Sequence, residues 1–221
     1  MQEHASGESL NSALTDLMTS LMVIFILLLL VFLNRTAGRD PAITDVLLER
    51  LKGDLVPQGF SKELIQIDKK DRNAILVIVP DRLMNFELTK SQLKPEGETF
   101  LKDNIPKFAA VLCAPQFRNA IESIVLEGYT DDTKWLNATS EYESQDLNLE
   151  LSQKRSMEVV KKSLSFLTED PVQRECFLEK LSATGRGEQD LQPTPSESRR
   201  VIFRIRVRAD RVEEIRGQGV R

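Results

Sequence analysis

A long uncharged apolar run constrains this chain more than any other feature. Residues 17–33 read LMTSLMVIFILLLLVFL, with Thr19 and Ser20 as the only hydroxyl-bearing side chains. With residues 13–16 the run reaches about 20 residues, enough for a helix to cross a hydrocarbon core of roughly 30 Å. Charged residues make up 29% of the sequence, so the rest of the chain is too polar to bury such a segment in a core. We therefore predict a transmembrane helix over residues 16–34, after a short tail of residues 1–15.

A cleaved signal peptide is the alternative for this segment. Such a peptide begins with basic residues, has a shorter apolar stretch and ends in small residues at the cleavage site. Residues 1–15 contain no Lys or Arg, and residues 34–38 read NRTAG, which is a poor cleavage site. The pattern therefore favours a membrane span that is retained.

The charges that flank the run bear on its orientation. Arg35 and Arg39 follow it, whereas Glu3 and Glu8 precede it without any cation. Positively charged flanks favour the cytoplasm, so this bias alone predicts that the large C-terminal part lies inside the cell.

The composition argues against several functions. A net charge of −4 argues against a general nucleic-acid-binding protein, because no broad basic surface is available to neutralise phosphates. A single His, and two cysteines without a CxxC spacing, argue against a structural zinc site. We expect no metal and no cofactor.

Hydrophobic patterning beyond residue 72 predicts alternating strands and helices. Strands or extended segments are predicted where β-branched and apolar residues cluster, at residues 73–80, 82–87, 120–127 and 199–207. Helical spacing of apolar residues predicts helices over residues 93–112, 151–167 and 170–181. Pro106 is expected to break or kink the first of these helices. The order predicts an α+β domain over residues 73–208, with helices on one side of a mixed sheet, followed by a tail of residues 209–221.

The connector at residues 35–72 contains an amphipathic pattern. One helical face carries apolar residues, namely Ile43, Val46, Leu47, Leu51 and Leu55. Pro57 and Gly59 end the pattern. Such a helix either packs on its own domain, which we favour, or lies just outside the membrane, where it pairs with a second copy or gates a channel.

Asp16 stands at the start of the apolar run. On a helix it shares one face with Thr19 and Ser20, at spacings of three and four residues. An ionised carboxylate within hydrocarbon must pair, take up a proton or face a wet path, so this residue is a candidate proton or cation carrier. The alternative is an interfacial Asp or helix N-cap, stabilised by the helix dipole.

The string DLMTSLM at residues 16–22, followed by Phe25, resembles the transmembrane signature of the MotB family of stator subunits. This resemblance implies that Asp16 carries the transported ion and that Thr19 and Ser20 contribute to its path.

Four segments resemble the OmpA-like peptidoglycan-binding domain. They are residues 86–97 ending in LKPEG, residues 124–132 reading IVLEGYTDD, residues 148–155 reading NLELSQKR, and residues 198–201 reading SRRV. The resemblance implies an OmpA-like βαβαβ sandwich.

It also implies a site for the diaminopimelate of a wall stem peptide, a residue with both an ammonium and a carboxylate. Asp131 and Arg155 would bind this zwitterion through charge-assisted hydrogen bonds. Thr130, Asn148 and Leu151 would shape the pocket, and Ser152 would cap the helix that carries Arg155. The alternative is that Asp131 and Arg155 form an internal salt bridge.

The sequence departs from compact members of that family between Asp131 and Asn148. The additional residues fall within segment 133–147, TKWLNATSEYESQDL, which contains the sole tryptophan, Trp135. This segment could form a lid, bind a partner or be a surface loop, and we predict a surface loop.

Together the two resemblances imply a topology that opposes the charge bias. The N-terminus would be cytoplasmic and the domain periplasmic, since a wall-binding domain has no ligand in the cytoplasm and long domains are translocated largely regardless of charge. The periplasm permits a disulfide between Cys113 and Cys176, and two buried free thiols are the alternative.

The resemblance further implies partners and a machine, and it does not imply an enzyme. The partners would be peptidoglycan, a second copy of the chain, and a MotA-like or ZorA-like multispanning subunit, arranged five around two, with no nucleic acid. Ion passage at Asp16, proton rather than sodium, would turn the ring. The short tail and connector resemble the ZorB-like components of Zorya anti-phage systems. A flagellar stator subunit and a passive single-pass wall anchor are the alternatives.

Overall fold

The computed structural model describes residues 4–37, 42–58, 60–87 and 89–208, in two compact units, Met1–Asp40 and Pro41–Arg221. The predicted C-terminal tail, residues 209–221, lies outside the described residues. So do residues 1–3 of the predicted N-terminal tail and residues 38–41 of the predicted connector.

The described part of the first unit is a helix, α1 (His4–Ala37). The described side chains of this helix, residues 15–31, are all exposed in the single chain. No helix in the described part of the chain combines the length and the apolar character that crossing a membrane requires.

The second unit is an α+β domain built on a five-stranded mixed sheet. In chain order its elements are α2 (Ala42–Leu55), β1 (Ile65–Ile67), β2 (Ala74–Pro80), α3 (Asp81–Met84), α4 (Pro95–Leu112), α5 (Pro115–Arg118), β3 (Ile121–Tyr129), α6 (Glu141–Ser165), α7 (Pro171–Lys180), β4 (Leu181–Gly187), α8 (Pro195–Ser198) and β5 (Arg200–Val207). The strands lie in the order β1-β2-β5-β3-β4, and only β3 and β4 run parallel. The predicted α+β class and mixed sheet are thus confirmed.

The core forms because alternate strand residues face the helices. Ile75, Val77 and Val79 of β2 are buried, as are Phe203 and Ile205 of β5, which matches the two-residue period of a strand. The helices contribute large apolar side chains to the same core, among them Leu101, Ile105 and Phe108 of α4 and Val159 of α6.

Helix α2 belongs to this core as well. Its buried apolar side chains are Ile43, Leu47, Leu48, Leu51 and Leu55, whereas Val46 is exposed although it was assigned to the same face. The helix therefore packs on its own domain.

Several predictions about individual helices and strands were wrong. Residues 82–87 were expected to be extended, but residues 81–84 form the helical turn α3, after which Asn85 adopts a left-handed conformation with φ of 48°. Helix α4 is continuous through Pro106, because buried residues on both sides hold it in the core. Strands β1 and β4 were missed.

Helix α6 begins ten residues before its predicted start, so the second half of segment 133–147 is helical rather than loop. Ser140 caps it, with its hydroxyl accepting a hydrogen bond from the Glu143 amide. Ser152 is therefore not the predicted cap but lies inside the helix, where its hydroxyl accepts from Gly187 N at 2.9 Å and donates to Leu149 O at 2.7 Å.

Two glycines allow α6 to lie close to the sheet. A Cβ on Gly128 of β3 would come within 2.2 Å of the Ser152 carbonyl oxygen, and one on Gly185 of β4 within 2.6 Å of the Gln153 amide nitrogen. No other residue fits at this distance, which sets where the side chains of α6 meet the ends of the strands.

A disulfide joins Cys113, at the end of α4, to Cys176 in α7. Of the two alternatives for these cysteines, the structure contains the disulfide.

Candidate functional site

A cavity of about 470 Å³ opens where β3 ends, α6 begins and β5 is about to start. All five residues that the sequence assigned to the wall-binding site line it, namely Thr130, Asp131, Asn148, Leu151 and Arg155. The remaining lining residues are Thr89, Thr133, Lys134, Trp135, Leu136, Asn137 and Arg199. Segments far apart in sequence thus meet at one place.

Asp131 lies two residues beyond the end of β3 and is buried. Its Oδ1 accepts a hydrogen bond from Thr133 N at 3.1 Å, and its Oδ2 accepts one from Arg199 Nη1 at 2.5 Å. Burial alone would raise the pKa of Asp131, but the hydrogen bonds from Arg199 and Thr133 outweigh it and lower the pKa below its ordinary value. The carboxylate is therefore ionised at neutral pH.

Arg155 projects from the second half of α6 and is only 6% exposed. Its Nε donates to Lys90 O at 3.0 Å, and its guanidinium lies over the Phe86 ring, 4.9 Å from the centroid. Burial lowers the pKa of Arg155, while the charges of Asp81 and Asp131 act in the opposite direction. Even so, an arginine remains charged at any physiological pH.

Asp131 and Arg155 do not form the internal salt bridge that was the structural alternative for this pair. Asp131 is paired with Arg199, whose Nε also lies 3.1 Å from Asp81 Oδ2. Among the described residues, Arg155 takes part in no salt bridge. The cavity therefore contains one paired carboxylate and one buried guanidinium without a carboxylate partner.

The polar side chains around this pair are held in different ways. Asn148 accepts from Trp135 Nε1 at 2.8 Å and donates to Thr133 O at 3.3 Å. The Thr130 hydroxyl is buried and has no hydrogen-bond partner among the residues that the structure describes. A buried polar group without a partner is uncommon, and here it lines a cavity that a ligand could enter.

The backbone conformation of Thr89 is a further indication of a ligand-binding site. It lies on the cavity wall with φ of 58°, a left-handed conformation that is unusual for a β-branched residue. Such backbone strain persists where the surrounding structure enforces it, and it concentrates at ligand-binding sites. The adjoining Lys90 is the residue whose carbonyl binds Arg155.

This arrangement suits a small zwitterion better than an ion of one sign. A carboxylate on the ligand can meet the Arg155 guanidinium and the Thr130 hydroxyl, both of which are available as donors. An ammonium on the ligand can meet Asp131, since a carboxylate accepts more than the two hydrogen bonds it already receives. Leu151 and Trp135 contribute apolar surface to the cavity lining.

The ion-path candidates belong to helix α1 of the first unit. Asp16, Thr19 and Ser20 are exposed, and the Thr19 hydroxyl donates to Thr15 O at 2.6 Å. Within the described ranges, no group of three His, Cys, Asp or Glu is placed to hold a metal ion.

Comparison with known proteins bears on the fold. No family model and no curated protein matches the chain. A solved structure of a putative MotB-like protein from Desulfovibrio vulgaris is similar, with a TM-score of 0.52 and 21% identity over 76% of this chain and 93% of that one. This likeness shows that the chain shares the fold of that MotB-like protein.

Two further solved structures are more distant. The periplasmic domain of Helicobacter pylori MotB has a TM-score of 0.46 and 16% identity over 66% of this chain and 82% of that one. The cell wall anchor of the T6SS from Pseudomonas aeruginosa has a TM-score of 0.46 and 20% identity over 73% of this chain and 97% of that one.

Sequence reasoning missed two residues of the cavity's polar network. Arg199 was noted only as part of the SRRV segment, and Trp135 only as part of a loop. The antiparallel register pairs Arg200 with Tyr129, which brings Arg199 beside Asp131, but that pairing is not legible in the sequence. For the early start of α6 a signal was present, since Ser140 and Glu143 form an S-x-x-E helix-start pattern.

Proposed function

We propose that this chain anchors a membrane complex to the bacterial cell wall by binding peptidoglycan in the cavity at Asp131 and Arg155. The observation that carries the proposal is the cavity itself, which holds an ionised carboxylate and, within the described part of the chain, a buried guanidinium without a carboxylate partner and a hydroxyl without a hydrogen-bond partner. The ligand is the diaminopimelate end of a stem peptide. Its carboxylate binds Arg155 and Thr130, and its ammonium binds Asp131.

The apolar run supports the membrane half of this proposal. Residues 17–33 lie within the single helix α1, and the described part of that helix exposes apolar side chains on all sides. In our proposal this helix spans the inner membrane, with the N-terminus in the cytoplasm and the domain in the periplasm. The Cys113–Cys176 disulfide fits an oxidising compartment.

In this topology Asp16 carries the ion of a MotA/MotB-like motor. Two copies of the chain stand inside a ring of five multispanning subunits, and a proton is exchanged at Asp16, with Thr19 and Ser20 along its path. Moving one elementary charge through about 100 mV releases about 2.3 kcal/mol, which is enough to drive a conformational step. A wall-bound domain keeps the dimer fixed while the ring turns around it.

We assign the motor to anti-phage defence of the ZorB type, because residues 1–15 are acidic and the connector is short. A flagellar stator subunit is the second assignment, and a passive single-pass anchor is the third. The resemblance of residues 16–22 to the stator signature favours a motor over a passive anchor.

Wall binding is tested by retention of the full-length chain, purified in detergent, on isolated peptidoglycan. We expect Asp131→Ala and Arg155→Ala each to lose at least tenfold in retention. Asp132→Ala is the matched control, because Asp132 is the neighbouring aspartate and is exposed. Retention of both site variants at the level of this control would assign Asp131 and Arg155 to a structural role.

The motor assignment is tested separately by Asp16→Asn in cells that carry the complete system. We expect loss of protection against phage at normal membrane levels of the protein, because the amide cannot take up and release a proton. Asp45→Asn, an exposed change on α2, serves as the control. Full protection by the Asp16→Asn variant would leave the passive anchor as the function.

A further inference from the structure

Residues 133–137, which we call the mouth loop, are hydrogen-bonded to two other residues of the cavity, Asp131 and Asn148. Thr133 N donates to Asp131 Oδ1 at 3.1 Å, and Thr133 O accepts from Asn148 Nδ2 at 3.3 Å. The loop therefore takes its position directly from two residues of the zwitterion site. A loose surface loop would have no such connections.

Trp135 is held at both its backbone and its ring. Its amide donates to Ser144 Oγ at 3.0 Å, and its indole Nε1 donates to Asn148 Oδ1 at 2.8 Å. Because the only polar atom of the ring is satisfied at the start of α6, the ring presents its apolar surface to the cavity it lines. The indole is half-buried, so part of this surface is open to a ligand.

Leu136 lies beside it at the mouth of the cavity and is fully exposed, at 106% of its reference area. An exposed leucine by itself is ordinary. Here it lines the same cavity as the indole, and the polar residues Lys134 and Asn137 flank the pair. The mouth loop thus adds an apolar surface, an amide and an ammonium to the cavity that Asp131 and Arg155 also line.

We propose that the mouth loop binds the glycan strand, with one pyranose ring of the sugar lying against Trp135 and Leu136. This inference rests on the proposed function, because it requires the stem peptide to bind at Asp131 and Arg155. A pyranose has one face made of C–H groups, which can pack on an indole and a leucine. Its hydroxyl and acetamido groups can form hydrogen bonds with Asn137 and Lys134. The cavity would then recognise the peptide and the sugar of one muropeptide together.

The hydrogen bonds that order the mouth loop lower the entropic cost of binding the sugar. A loop that is already ordered by Asp131, Ser144 and Asn148 loses little conformational freedom when the ligand binds. The apolar surface at Trp135 and Leu136 is removed from water at the same time, which is favourable. We therefore expect the sugar to add affinity to that of the peptide.

Trp135 is the only tryptophan in the chain, so its fluorescence reports on this contact directly. The experiment titrates full-length protein in detergent with a diaminopimelate-containing tripeptide, with the same tripeptide attached to its disaccharide, and with the disaccharide alone. We expect the disaccharide–tripeptide to bind at least tenfold more tightly than the free tripeptide and to shift the Trp135 emission. The disaccharide alone should bind weakly, because it lacks the charged groups.

Leu136→Ala is the decisive variant, and it is safe for folding because the side chain is fully exposed. We expect it to reduce the advantage of the disaccharide–tripeptide over the free tripeptide to less than threefold, because the affinity for the disaccharide–tripeptide falls more than the affinity for the free tripeptide. Leu178→Ala, at an exposed leucine on α7, is the control and should retain the full advantage.

Equal affinity of the wild-type protein for the two peptide ligands would overturn this inference and leave peptidoglycan binding intact. The inference would also be overturned if the Leu136→Ala variant still bound the disaccharide–tripeptide at least tenfold more tightly than the free tripeptide. Failure of the wild-type protein to bind either peptide ligand would instead contradict the proposed function on which the inference rests.

Discussion

Arg199 Nη1 lies 2.5 Å from Asp131 Oδ2, and Nε of the same guanidinium lies 3.1 Å from Asp81 Oδ2. One arginine just before β5 thus connects the turn after β2 with the end of β3. Burial opposes its charge, but the two carboxylates raise the pKa of Arg199. This pairing keeps the Asp131 carboxylate ionised and in a fixed orientation.

Removal of Arg199 should therefore weaken wall binding without removing any atom of the Asp131–Arg155 pair. A hydrogen bond to a charged group contributes roughly 1.5 kcal/mol, so we expect Arg199→Ala to lose on the order of tenfold in affinity for peptidoglycan. Arg199→Lys keeps the charge and should recover part of the loss. Binding at wild-type strength by the alanine variant would show that Asp131 needs no positioning.

The pH dependence of wall binding follows from the same contact. Because the pKa of Asp131 is lowered, its carboxylate stays charged even below the ordinary aspartate pKa of about 4, and the charge is lost only as the pH falls through the lower folded-state value. Retention on peptidoglycan should be constant from about pH 8 to about pH 4 and fall only at lower pH. In the Arg199→Gln variant the loss of retention should begin at a higher pH than in the wild type. Identical pH profiles of retention for the two proteins would show that Arg199 does not set the pKa of Asp131.

The disulfide should matter for stability. It closes a loop between residues 63 apart in sequence, for which chain entropy gives up to about 4 kcal/mol. We expect the double variant Cys113→Ala/Cys176→Ala to lose roughly 2–4 kcal/mol in the free energy of unfolding, measured by urea denaturation. Reductant should destabilise the wild type by a similar amount and leave the double variant unaffected. A reductant-insensitive wild type would contradict this expectation.

Two glycines offer a matched test of how closely α6 lies on the sheet. Gly128→Ala places a Cβ at 2.2 Å from the Ser152 carbonyl oxygen, and since a backbone atom cannot give way cheaply we expect a loss of about 2 kcal/mol or more. Gly53 lies inside α2 with nothing within 4 Å of an added Cβ, so Gly53→Ala should raise stability by about 0.5–1 kcal/mol. Equal effects of the two changes would place α6 further from β3 than described.

The sequence was sufficient where apolar periodicity is strong. Residues 74–80 and 200–207 became strands as predicted, and residues 95–112 became a helix, because their side chains alternate or repeat with the period of the element. Strand β4 reads LSATGRG and shows no such alternation, since it is only partly buried. It exists because it pairs with β3, and a single sequence does not reveal that pairing.

The candidate site could likewise be predicted only in part, because local motifs reveal its residues but not their contacts. Asp131, Arg155, Thr130, Asn148 and Leu151 were assigned through the order of local motifs, and they line one cavity. The actual partner of Asp131 was not predicted, because Arg199 is 68 residues away and reaches it only through the register of β3 against β5. Local motifs identify such residues, whereas tertiary pairing decides which of them are in contact.

The most direct test of the central claim compares two tripeptides that differ in one carboxylate. Calorimetry would measure binding of full-length protein to a tripeptide that ends in diaminopimelate and to one that ends in lysine. If the cavity binds an ammonium and a carboxylate together, the lysine peptide leaves Arg155 unpaired and should bind at least tenfold more weakly. Equal affinity for the two peptides, or no binding of the diaminopimelate peptide, would contradict the account.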